Sequence, residues 1–182
     1  MARLPNLARE DLKPEDQKHV DAIVGTRGGI RGPFGVLLHS PDLASRVAAT
    51  GAYVRFEGEI PNALREVAIL VTGREIENQY EFSAHARLAR EAGVSEETIQ
   101  AIVQGEDPDG LAGDEQIVAR YARELVRDHG VADATYQAVE GRFGVQGTVD
   151  LTVLIGHYVL VGMVLSAFQV DLLPGMQPEL PL

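Results

Sequence analysis

Glu81 and His85 stand four residues apart in the run Glu77-Asn-Gln-Tyr-Glu-Phe-Ser-Ala-His85. On a helix that spacing puts a carboxylate and an imidazole on one face. A carboxylate beside an imidazole holds its tautomer and raises its basicity, the equipment of a general acid–base. Asn78, three residues before Glu81, is expected on the same face a turn earlier. Glu66 lies in the preceding apolar run Leu64-Arg-Glu-Val-Ala-Ile-Leu70. It is either a partner for His85 or a structural acid of that helix, and Glu81 is either the orienter of His85 or a second acid–base group. Tyr80 points about 100° round the helix from Glu81 and is a candidate substrate contact. Solvated helix faces also carry Glu-x-x-x-His, so the pair takes its meaning from its surroundings.

The chain that must position these groups has 182 residues, 45% of them hydrophobic, which suits one domain with a substantial core. Its 16 Lys and Arg against 27 Asp and Glu give a formal charge of -11, which argues against a nucleic-acid partner. There is no cysteine, so disulfides, thiolate metal sites and cysteine nucleophiles are excluded. Four ligand-type residues, Glu66, Asn78, Glu81 and His85, offer one nitrogen and several oxygens. A single imidazole is thin for a transition metal, so neither a metal nor another cofactor is expected. Neither end reads as a targeting segment, and a cytoplasmic location is expected. The apolar stretch 149–168 is interrupted by Asp150, Gly156, His157, Gly162 and Ser166, which reads as a buried core helix rather than a membrane span.

Apolar residues recur at helical spacing almost throughout, and no alternating strand stands out. The expected fold is all-α, six to eight helices in a single domain over 1–182, with an extended N-terminal segment of about 1–13 and a tail of about 171–182. Pro14 opens the first helix, with Val20, Ile23 and Val24 inward and Gly28-Gly29 as its stop. Ser40 is expected to cap a helix that runs to about Phe56 with Leu43, Val47 and Val54 inward. Helices from Pro61 to about Gly73, from Asn78 to Ala92 and a short one from Ser95 follow. After the polar loop 105–113 come helices 114–128, 133–143 and 148–168. The proline-rich tail is expected to pack on a neighbouring surface or subunit. Arg27 and Arg31 bracket a glycine-dense loop and are candidate clamps for an anion. His157 is expected to be buried and hydrogen-bonded or at a subunit contact, Tyr158 to need a partner for its phenol, and His19 and His129 to lie at the surface.

The segments Leu64 to Leu70, Glu77 to His85 and Ala89-Arg-Glu-Ala-Gly-Val-Ser-Glu-Glu-Thr-Ile99 resemble the carboxymuconolactone decarboxylase superfamily, which includes the alkylhydroperoxidase-D-like proteins. The helix with Leu154-Ile-Gly-His-Tyr-Val-Leu-Val161 and the early segment Gly32-Pro-Phe-Gly-Val-Leu-Leu-His-Ser-Pro41 extend the resemblance over roughly residues 30–170. It implies an all-α fold assembling as a homotrimer or homohexamer. The peroxidase branch carries a Glu and then Cys-x-x-Cys-x-x-x-His. Counting back from His85, the two cysteines fall on Asn78 and Glu81 and the distant Glu on Glu66. Thiol–disulfide peroxide reduction therefore cannot operate here. The cysteine-less, decarboxylase-like branch implies instead a cofactor-independent lyase acting on a small anionic, enolisable compound, with His85, Glu81 and Glu66 as its acid–base set. Arg31, beside the family-like segment, is the favoured carboxylate clamp, and Phe34 and His39 are expected to line the pocket. Isomerisation, hydration or dehydration in the same pocket, or a non-catalytic oligomeric ligand binder, are the alternatives.

Overall fold

The computed structural model describes residues 2–182. Eight α-helices follow in order: α1 (Gln17–Arg27), α2 (Pro33–Leu37), α3 (Pro41–Ala52), α4 (Asn62–Glu75), α5 (Gln79–Glu91), α6 (Glu96–Gln104), α7 (Gly113–Arg123) and α8 (Asp133–Phe168). Among the described residues there is no strand. The fold is all-α, as the periodicity predicts.

Local chemistry explains most of the boundaries. The Asn78 side chain accepts from the Glu81 backbone N–H at 2.9 Å and so caps α5. Ser95 does the same for α6 through the Thr98 N–H at 3.1 Å. Gly28, at φ 70°, ends α1 in the left-handed region with its N–H on the Val24 carbonyl. Ser40 makes no side-chain cap, however; α3 starts on the pre-set φ of Pro41 instead. Single π turns at Tyr53–Glu57 and Glu124–Asp128 extend α3 and α7. Gly144, at φ 69°, breaks α8 into the two arms that the sequence spacing indicates. The short helix α2 lies where a loop was expected.

α4 is the hub. It is buried from Glu66 to Gly73 and packs on α5, α6, α7 and α8. Two apolar clusters share the long arm of α8. Leu151, Leu154, Ile155 and Tyr158 belong to the α4-centred cluster. Val161 and Leu165 belong to a second, formed with α1, α2 and α3 and including Tyr80. α8 is long and apolar enough to span a membrane by composition, yet it threads the core of the protein itself. Two inward assignments fail: Leu43 is 50% exposed and Val24 39% exposed, because the buried faces of α1 and α3 are narrower than their apolar content.

The tail folds back on its own chain. Gln79 Nε2 donates to the Leu180 carbonyl at 2.9 Å and the Leu180 N–H donates to Gln79 Oε1 at 2.8 Å. The Glu179 N–H donates to Ser83 Oγ, and Arg90 pairs with Glu179 at 2.7 Å. The partly exposed ion pair contributes at most about 1 kcal/mol. Burial of Leu180 contributes roughly 1.5–3 kcal/mol and is the main anchor.

Candidate functional site

The seam between the two clusters opens into a cavity of about 760 Å³. α5 presents Glu81 and His85 to it, and α8 presents His157 and Tyr158. Arg27 enters from the end of α1, Phe34 from α2, and Arg55 from the π turn after α3. Residues 173–177 of the tail close one side.

His85 is held between two carboxylates, all three side chains being almost fully buried. Its Nδ1 meets Glu66 Oε2 at 2.7 Å, so a carboxylate on α4 fixes the ring from behind the cavity wall. Its Nε2 is 3.7 Å from Glu81 Oε2, beyond hydrogen-bond range. With Nδ1–H donated to Glu66, the Nε2 lone pair and the Glu81 carboxyl face the same space. Burial raises the pKa of Glu81, against the opposing pull of His85, Arg55 and Arg27. The geometry gives the orienting contact to Glu66 and leaves Glu81 beside the free ring nitrogen. Among the described residues no group of three or more His, Asp or Glu side chains is arranged to hold a metal ion.

Three of the cations that line the cavity stand without acidic partners. Arg87, Arg90, Arg123 and Arg127 each pair with a glutamate. Arg27, Arg31 and Arg55 line the cavity and form no such ion pair among the described residues. Arg27 lies 4.4 Å over the Phe34 ring, donates to the Ala48 carbonyl at 3.2 Å and buries an Nε with no partner. A methyl group at Gly51 would collide with both Arg27 Nη2 and His157 Nε2, so this glycine on α3 lets the two side chains meet. Burial and the guanidiniums of Arg27 and Arg55 push His157 down to about 4. Arg31 lines this cavity and an adjoining one of about 650 Å³, so it stands on the wall between them and is itself exposed.

Tyr80 and Phe34 also line the cavity. The Tyr80 phenol, pushed up to about 12 chiefly by burial, accepts from the Gly32 backbone. Two expected site residues are elsewhere. Asn78 donates to the Gly162 carbonyl and to Ser166 Oγ, each at 3.0 Å, and is occupied as a cap. As the residue before the first helical turn, at φ -96° and ψ 99°, it does not share the face of Glu81. His39 is exposed, with Nε2 3.0 Å from the Pro5 carbonyl, because α2 and the turn after it carry the ring away from the cavity. Arg55 was not singled out from the sequence, where nothing separates it from other arginines at a helix end. His157 and Tyr158 carried a signal, as polar groups inside an apolar helix. Among the described residues neither side chain has a hydrogen-bond partner, and the two rings meet edge-on.

Residues 41–124, spanning α3 to α7 and containing Glu66, Glu81 and His85, match the Carboxymuconolactone decarboxylase family. Two solved structures show the same fold over nearly the whole molecule. One is the debrominase Bmp8 in its apo form, with TM-score 0.72 and 13% identity over 93% of this chain and 91% of that chain. The other is a cysteine-to-alanine variant of Bmp8 in complex with 2,3,4-tribromopyrrole, with TM-score 0.73 and 12% identity over 93% of this chain and 90% of that chain. No curated protein matches the sequence.

Proposed function

We propose that this protein is a cofactor-independent lyase that decarboxylates a small, carboxylated, enolisable compound by general acid–base chemistry. The observation that carries the reading is the His85 imidazole, fixed by Glu66 at 2.7 Å, with its other nitrogen facing Glu81 across a cavity lined by unpaired arginines. Arg27 and Arg55 hold the substrate anion at the inner end of the cavity, with Arg31 at its wall. The carbon–carboxylate bond breaks, its electron pair passes into the adjoining acyl group as an enolate, and CO2 leaves. The proton returns to carbon from the Glu81 and His85 pair, whose raised carboxyl pKa suits a proton donor. The chain has no thiol, so nucleophilic or redox sulfur chemistry is outside its reach.

The same set would also serve an isomerisation, since that reaction passes through the same enolate; the fate of the carboxylate separates the two. A panel of small lactone and 3-oxo carboxylic acids is incubated with the wild type and with His85→Ala. CO2 release by the wild type, lost in a folded His85→Ala, is the expected result. A product that retains the full mass points to isomerisation, and full activity in His85→Ala removes the assignment.

The working unit is a homo-oligomer, a trimer or hexamer. Val145, Val149, Val153, Gly156, Leu160 and Met163 form an exposed, uncharged stripe along α8. Their steps of three and four residues are those of helix-pairing seams.

A further inference from the structure

We propose that the Tyr158 hydroxyl is the hydrogen-bond donor that meets the enolate oxygen formed in this cavity. The inference rests on the enolate reading above and assigns it a group outside the acid–base set. Tyr158 is buried on α8, with its ring edge-on to His85 at 4.9 Å between centroids and to His157 at 5.5 Å on the other side. These two contacts fix the ring in the cavity wall beside the imidazole whose free nitrogen faces the reacting space.

The hydroxyl itself is unspent. The buried Tyr121 hydroxyl meets Thr152 Oγ1 at 2.7 Å, and the Tyr80 hydroxyl meets the Gly32 backbone. Tyr158 has no hydrogen-bond partner among the described residues, and it lines the cavity, where a ligand or water can complete its hydroxyl. The charged groups that act on its phenol are Arg55, Glu81, Glu66 and Arg27, the residues of the site, and burial keeps the phenol protonated. A neutral donor is what a developing oxyanion needs in a site shielded from water. When the carbon–carboxylate bond breaks, the charge collects on the acyl oxygen. Tyr158 donates to that oxygen and keeps its proton, while the proton that returns to carbon comes from Glu81 and His85. Arg27 and Arg55 keep the separate task of holding the substrate carboxylate.

The test uses 4-nitrophenol, whose anion resembles an enolate and whose absorbance reports its ionisation. The wild type, Tyr158→Phe and, as a control away from the cavity, Tyr121→Phe are titrated with it, and all three are checked for folding by circular dichroism. The expected result is that the wild type and Tyr121→Phe bind it as the phenolate, and that Tyr158→Phe binds it about tenfold more weakly or worse. Equal binding by a folded Tyr158→Phe overturns the assignment of Tyr158 and leaves the enolate reading standing. Absence of phenolate binding by the wild type overturns the enolate reading, and the role of Tyr158 with it. Removing one unpaired oxygen leaves the ring packing in place. Should Tyr158→Phe still fail to fold, Tyr158→3-fluorotyrosine, a stronger donor of nearly the same size, is expected to bind the phenolate more tightly than the wild type, and unchanged binding overturns the proposal.

Discussion

Burial, reinforced by Arg27 and Arg55, holds the His157 imidazole at about 4, below its ordinary 6.5. The unfolded chain therefore takes up this proton more readily than the folded one. The contribution to stability is full above about pH 6.5 and is lost as the pH falls through 4, up to about 3 kcal/mol. Glu81 acts in the opposite sense: its raised pKa makes its contribution greatest in acid, and that is lost as the pH rises through its folded value. Melting temperatures at pH 7 and pH 4.5 separate the two. His157→Gln is expected to lose less stability on acidification than the wild type, and an unchanged loss would refute the assignment. At this scale the sequence made Glu81 and His85 visible because helix spacing translates directly into a shared face, whereas Glu66, on the preceding helix, was reached through the family resemblance. It misplaced Asn78, since a capping residue lies outside the helix that its spacing assumes. Arg55 was hidden because a π turn, which no local pattern announces, carries it to the cavity.

The elements themselves were legible where a period or a punctuating residue marks them. Gly28 and Gly93 sit at positive φ just past helices, and Gly144 marks the break in α8. α2 was not legible, because five residues are too few to show a period and its Pro-Phe-Gly start reads as loop. The tail was expected to pack on a neighbouring surface or subunit, and its single buried side chain, Leu180, docks on a neighbouring surface of its own chain, at α5. From that follows a prediction for this element. Leu180→Ala should cost roughly 2–5 kcal/mol locally, and the segment 173–179 that closes the cavity should come loose. Hydrogen exchange over this segment is expected to rise sharply while that of α4 stays slow; unchanged exchange would show that the ion pair to Arg90 suffices as the anchor.

Across the whole molecule, charge and apolar surface point in different directions. A formal charge of -11 repels anions at a distance, so the arginines that face the cavity without acidic partners must supply the local attraction. The α8 stripe, with Val145 64% and Met163 66% exposed, is more apolar surface than a lone helix face normally leaves to water. Light scattering at micromolar concentration is expected to give a trimer or hexamer for the wild type and a smaller species for Val149→Asp with Met163→Asp; a monomeric wild type would refute the oligomer. The central claim is that His85 and its two carboxylates move a proton at carbon, and the position of the label in D2O tests it most directly. With a small 3-oxo carboxylic acid that the wild type decarboxylates, deuterium should appear on the carbon that lost CO2, and a folded His85→Gln should incorporate it at least about a hundredfold more slowly. Incorporation by His85→Gln at the wild-type rate would contradict the account.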